Sequence, residues 1–206
     1  MSRVDPDIPI EGSIGAMAAW WSMARPGISP CLKQAPIPSN GPTKSIPSYL
    51  YQMEYSLWSR DPESGNIQTC RDHNMGFMGY SPLGRGFLAG QFRALTELDE
   101  GDARLTSPRF QPENFQQNLQ LLTQLEDIAN GKSATLAQLA LAWLMAQGND
   151  IIPIPGAKSR NHLEENVKAI DIKRTPEDLA SLNAIMPPGA AAGRRLNDEQ
   201  LSRVNI

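Results

Sequence analysis

Two stretches of this sequence combine glycine, small polar residues and cations in the way that anion recognition requires. Gly79-Tyr80-Ser81-Pro82-Leu83-Gly84-Arg85-Gly86 follows a short apolar run. Glycine lets backbone amides approach a phosphate closely, and Arg85 can supply charge. Ile151-Ile152-Pro153-Ile154-Pro155-Gly156-Ala157-Lys158-Ser159-Arg160 runs into a helical pattern. Lys158, Ser159 and Arg160 therefore cluster where unpaired amides and the helix dipole already favour an anion. Each stretch alone also reads as an ordinary turn or a solvated basic surface. Together they support each other, because both lie at carboxyl ends of strands, where parallel barrels place ligands and hold phosphate.

The elements that must position these stretches alternate. Residues 49–55, 75–80 and 151–154 read as short buried strands. Phe115, Leu119, Leu122, Leu125 and Ile128 recur at helical spacing, with Asn130-Gly131 as the stop. Leu136, Leu139, Ala140, Trp143 and Leu144 mark one apolar face of a second helix that ends before Gly148. Asn161 with Glu164 resembles a capping signal ahead of Leu163 and Val167. Thr175-Pro176-Glu177-Asp178 is a stronger one, with an N-cap, proline at the first helical position and an acid at the third. Leu179, Leu182 and Ile185 continue that helix until Pro187-Pro188. Strands separated by helices predict an α/β fold with a parallel sheet and crossover connections.

Composition narrows the classes of function. The chain has 206 residues, 40% hydrophobic and 20% charged, with formal net charge −3, which suits a globular domain with a sizeable core. No apolar run is long enough to span a membrane. Asp5, Asp7 and Glu11 interrupt the opening, so a secretory leader is not expected and a cytoplasmic location is. Cys31 and Cys70 are too few for a disulfide scaffold, and with His73 and His162 they make no HExxH or CxxC metal motif. The absence of a Lys/Arg stripe argues against nucleic acid as a partner.

One segment is anomalous. Residues 12–53 contain no Asp or Glu, although the chain carries 22 in 206. They hold Trp20, Trp21 and six prolines, Pro26, Pro30, Pro36, Pro38, Pro42 and Pro47. Proline lacks an amide hydrogen and restricts the residue before it, so helices have little room and strands would be short or at an edge. On composition the segment reads as a proline-rich linker.

Three motifs carry a resemblance: Gln52-Met53-Glu54-Tyr55-Ser56-Leu57-Trp58, Gly79 to Gly86 as quoted, and Ile154-Pro155-Gly156-Ala157-Lys158 through Glu164-Glu165-Asn166. In order and spacing, with Leu139-Ala140-Leu141-Ala142-Trp143-Leu144 between them, they resemble the aldo/keto reductases. The resemblance runs from Gln52 to about Arg195 and includes residues 3–18. It implies the carboxyl-terminal half of a (β/α)8 TIM barrel that binds NADP(H) and reduces small aldehydes or ketones to alcohols. On that basis Gln52 would bond the nicotinamide carboxamide and Tyr80 would stack on its ring. Ser81, Leu83 and Arg85 would line the pyrophosphate, and Lys158, with Ser159 and Arg160, would meet the 2′-phosphate. His162, Glu165 and Asn166 would border the adenine, His162 standing where many relatives carry a larger cation.

The chain departs from the family at its start. Ser2 occupies the position of the catalytic histidine, and the aspartate, tyrosine and lysine of the family's proton-transfer set have no matching residues. Tyr49, Tyr51 and Tyr55 map to another strand, so no catalytic residue is assigned. The resemblance also lapses between Ala18 and Gln52 while the length is kept. Trp20-Trp21-Ser22-Met23-Ala24-Arg25-Pro26-Gly27, back-translated and read one base earlier, can spell Leu-Val-Glu-His-Gly-Lys-Ala-Arg, much like the family's entry to its fifth strand. The expected organisation is therefore a strand-four and helix-four fragment at 1–18 and a disordered or out-of-frame segment at 19–51. The half barrel follows at 52–195 and a tail at 196–206. Two functional classes remain: a reductase by descent that lacks its catalytic groups, or a non-catalytic NADP(H)-binding or degenerate protein.

Overall fold

The computed structural model describes residues 50–198 and the backbone of Cys31–Lys33. The strands form one parallel sheet in chain order: β1 (Cys31–Lys33), β2 (Leu50–Glu54), β3 (Gly76–Tyr80) and β4 (Ile151–Ile154). Parallel neighbours cannot be joined by tight turns, so each connection after β2 carries helix. α1 (Asn66–Asp72) links β2 to β3, and α2 (Pro112–Gly131) and α3 (Leu136–Met145) lie between β3 and β4. α4 (Arg160–Val167) and α5 (Pro176–Ile185) follow β4. No helix among the described residues is long and apolar enough to cross a membrane. Of the expected proline-rich segment at 19–51, only β1, at a sheet edge, and residues 50–51 are described. The rest of it, the 1–18 fragment and the tail beyond 198 lie outside the described residues.

Alternation along the strands gives the sheet two unlike faces. Tyr51 and Phe77 project to one, with Ile151 beside them, and all three are buried. Tyr55 continues that layer, edge-on to Phe77 at 5.8 Å and to Trp143 of α3 at 5.6 Å. Gly79 keeps this contact close: a Cβ would stand 3.2 Å from Leu144 and 3.4 Å from Tyr55, so a larger residue would require those side chains to give way by a few tenths of an ångström. The other face carries Gln52, Glu54, Met78, Tyr80, Ile152 and Ile154, brought into register by the β2–β3 and β3–β4 pairings.

The sequence expectations need three corrections. α3 has no single apolar face, because every residue from Leu136 to Leu144 is buried. It is enclosed by the sheet, the Gly84–Ala89 turn, α2 and α4, and Ala137, Ala140 and Ala142 keep those contacts close. α4 is capped by Ser159, whose hydroxyl accepts from the His162 amide, and not by Asn161. α1 was not anticipated, since Ile67 and Cys70 are its only buried apolar residues and no side chain caps it. The start of α5 is as expected, with Thr175 and Asp178 forming a reciprocal capping box around Pro176.

Candidate nucleotide-binding site

The chain leaves β3 through a backbone that few residues adopt. Ser81, Gly84, Arg85 and Gly86 all have positive φ, at 51°, 55°, 57° and 92°. Left-handed backbone at non-glycine residues costs about 1–3 kcal/mol and tends to cluster at ligand sites. Gly84 is also needed for space, whereas at Gly86 only the mobile end of Gln91 would have to shift. A Cβ at Gly84 would lie 2.7 Å from the Trp58 ring, and one at Gly86 would lie 2.7 Å from Gln91 Oε1. This tight loop is built on an aromatic cluster: Phe87 stacks on Trp58 at 4.2 Å and meets Phe92, Phe110 and Phe115 edge-on.

The β4 exit supplies the opposing wall. Gly156 has open space where a Cβ would be, and Lys158 and His162 are exposed near the start of α4. Between the two exits lies a cavity of about 720 Å3. Of the anticipated residues it brings together Ser81, Leu83, Arg85, Lys158 and His162. Gln52 and Tyr80 do not line it; they stand on the adjoining sheet face, with Gln52 opposite Met78 and Tyr80 opposite Glu54. Ser159 is occupied in capping α4, and Arg160 pairs with Glu164 at 2.7 Å, largely in solvent. Glu165 is half-buried and Asn166 buried behind the helix, where the Glu165 carbonyl accepts from Gln138.

Tyr80 is held from above by the C-terminal segment. Arg195 Nη1 donates to its hydroxyl at 3.5 Å and lies 3.8 Å from Glu54. Burial, with the Glu54 charge behind it, pushes the Tyr80 hydroxyl upward, so it stays protonated at neutral pH. Tyr51 and Tyr55 point into the helix-covered layer, Tyr55 donating to Glu63 at 2.9 Å.

A third wall went unread in the sequence: Gln91, Asp102 and Arg104, from the loop between Phe87 and α2. Asp102 accepts from Arg104 Nε and Nη2 at 2.9 and 2.6 Å, while Arg104 Nη1 donates to the Arg85 carbonyl at 3.0 Å. The guanidinium also lies 4.8 Å from the Phe92 ring centroid. The signal available was the Asp-x-Arg spacing, too common to single out. Arg104 beside it holds the Asp102 carboxyl down to about 2, with Lys158 contributing weakly. A depressed carboxylate contributes its pairing above the ordinary range and loses it as pH falls through the lowered value. Carbon-detected titration of the Asp102 carboxyl should therefore show a midpoint near 2. In Arg104→Met it should rise toward, but not reach, the ordinary value, because the residue-104 amide still donates to Asp102. An unchanged midpoint there would show that the Arg104 side chain is not the cause.

Parallel strands joined by helices, with a basic glycine-rich cradle at their carboxyl ends, make this a partial (β/α)8 barrel. The chain belongs to the aldo/keto reductase family, whose model matches residues 41–187. It is 42% identical over 159 residues to aldo-keto reductase yakc [NADP(+)] of Schizosaccharomyces pombe, covering 71% of this chain and 47% of that protein. The chain thus spans about half the length of the curated relative it matches. Among solved structures, it resembles the thermostable aldo-keto reductase Tm1743 in complex with the inhibitor epalrestat, at 26% identity and TM-score 0.63. That match covers 90% of this chain and 58% of Tm1743. The glycerol dehydrogenase AKR11B4 from Gluconobacter oxydans aligns with TM-score 0.79 at 21% identity, over 90% of this chain and 57% of the other, and shares the fold.

Proposed function

We propose that this chain is the NADP(H)-holding half of an aldo/keto reductase barrel, with the proton-transfer groups not among its residues. The observation that carries the reading is the cradle itself. Strained backbone at Ser81 and Arg85 faces, across one cavity, a lysine next to a helix start. These groups suit a dinucleotide: the β3 exit would take its pyrophosphate, and Lys158 its 2′-phosphate. Arg104 locks the first wall by binding the Arg85 carbonyl. Gln52 and Tyr80 share the open sheet face beside it, where Gln52 would hold the carboxamide and Tyr80 would stack on the ring. When bound, the cofactor supplies a hydride for a carbonyl carbon. The residues that would protonate the oxygen in the family have no counterpart in these 206 residues. Support also comes from the name of the Schizosaccharomyces pombe relative, which specifies NADP(+).

Titration of the purified chain with NADPH, followed by cofactor fluorescence, tests this. Saturable binding is expected, with no oxidation of NADPH when an aromatic aldehyde is added. Lack of binding would remove the cofactor reading. Turnover would show that a residue of this chain donates the proton after all.

A further inference from the structure

A second cavity, of about 490 Å3, lies between the loop after β2 and the C-terminal segment, and shares no lining residue with the cradle. Arg109 and Trp58 border it on one side, Pro188 and Ala191 on another, and Asp61 and Glu63 at its rim. Arg109 is 8% exposed yet forms no ion pair among the described residues. Its Nη1 donates to Ser59 Oγ at 2.7 Å, its Nε donates to the Gly193 carbonyl at 3.4 Å, and its guanidinium lies 5.2 Å from the Trp58 ring centroid. Burying a cation without a carboxylate is costly, so such a group calls for a partner.

The neighbouring acids are already engaged. Glu54 accepts from Ser59 at 2.7 Å and faces both Arg85 at 3.5 Å and Arg195 at 3.8 Å, so this buried carboxylate already serves two other arginines. Asp61, half exposed, leans toward Arg195 at 3.8 Å, and Glu63 is bound by Arg60 and Tyr55. Burial and the repulsion of Arg195 and Arg85 weigh against the Arg109 charge, and Glu54 and Asp61 offset this only from a distance. A second observation is independent of charge. Trp58 is 4% exposed, and its indole Nε1–H has no hydrogen-bond partner among the described residues. Arg109 and Trp58 thus line the same cavity, the first without a carboxylate partner and the second with its N–H enclosed and unbonded among the described residues.

We propose that this cavity is a carboxylate site, in which a small organic acid sets its carboxylate on Arg109 beside the Trp58 indole. Its apolar body then lies against Pro188 and Ala191. Of the two guanidiniums that line the cavity, Arg60 is committed to Glu63, Asn183 and the Met186 carbonyl, which leaves Arg109. With Asp61 and Glu63 also lining it, the site suits a monoanion and disfavours a phosphate dianion. The site does not depend on the cofactor reading, since it uses none of the cradle residues.

The test uses the full chain, with benzoate as probe, benzamide as its neutral match and inorganic phosphate as the alternative anion, at constant ionic strength. Calorimetry should show saturable benzoate binding, with benzamide weaker by about tenfold or more, as loss of a charge-assisted bond requires. The indole N–H resonance of Trp58, assigned with Trp58→Phe, should move with benzoate. Arg109→Lys keeps the charge but loses the fork, and should weaken benzoate binding. The native-protein comparison of benzoate with benzamide decides the matter even if that variant does not fold. Equal binding of the two, displacement of benzoate by phosphate, a stationary Trp58 resonance or no benzoate binding would each overturn the proposal.

Discussion

Replacing Phe87 with alanine should destabilise the protein by about 3–5 kcal/mol, the range for deleting a buried phenylalanine side chain. That is a large part of the total of about 5–15 kcal/mol that holds a typical domain together. Phe87 is 1% exposed and contacts Trp58, Phe92, Phe110 and Phe115. Those rings come from the β2 exit, the loop after β3 and α2, so no single neighbour can shift to fill the hole. The effect should also reach the ligand cradle, because Phe87 directly follows the left-handed run at Gly84, Arg85 and Gly86. Urea unfolding would show a lower midpoint with an unchanged slope. Ile170→Ala makes the control. It removes a side chain that is 62% exposed and should change stability by no more than about 0.5 kcal/mol. A Phe87→Ala effect as small as that of the control would mean that the aromatic cluster is not a cooperative part of the core.

The fold was legible where local chemistry and tertiary packing agree. Ile151–Ile154 stands as read, because three isoleucines favour a strand and Pro153 is tolerated in β4, which pairs with β3 alone among the described strands. The α5 start was equally plain, since Thr175, Pro176 and Asp178 each satisfy a separate demand of a helix N-terminus. α3 reads as one apolar face because periodicity picks out Leu136, Leu139, Ala140, Trp143 and Leu144. Ala137 and Ala142 fall outside that face, yet with Ala140 they allow burial all round. Asn161 misled at α4 because a capping pattern recurs two residues after the true cap, and only the approach of the chain from β4 selects Ser159.

The two strand exits of the candidate site were legible for a different reason. Glycines at 84 and 86 carry positive φ, the cations Arg85 and Lys158 line the same cavity, and all of them lie near in sequence to the strands that position them. Asp102 and Arg104 were not legible. They reach the cavity through a loop whose path depends on Phe92 and Phe110 joining a core assembled from distant segments. The buried state of Arg109 was hidden likewise, since its surroundings come from Ser59, Trp58 and Gly193, each far away in the chain.

Charge reversal at Lys158 should separate the two nicotinamide cofactors. NADPH differs from NADH only by the 2′-phosphate, so a residue that meets this group affects one cofactor and spares the other. Lys158 is exposed, borders the cavity and forms no ion pair among the described residues, which leaves its ammonium available to a ligand. A hydrogen bond between charged groups contributes about 1.5–3 kcal/mol, or roughly ten- to a hundredfold in affinity. Lys158→Glu should therefore weaken NADPH by about a hundredfold, the replaced charge adding repulsion to the lost contact. NADH should change by less than about threefold, and the salt dependence of NADPH binding should become shallower. Because the side chain is in solvent, unfolding midpoints should not move, so a loss of affinity cannot be ascribed to the fold. Equal losses for NADPH and NADH would place Lys158 at the shared pyrophosphate instead. The 2′-phosphate would then fall to Arg160, whose pairing with exposed Glu164 is weak enough to exchange for a ligand.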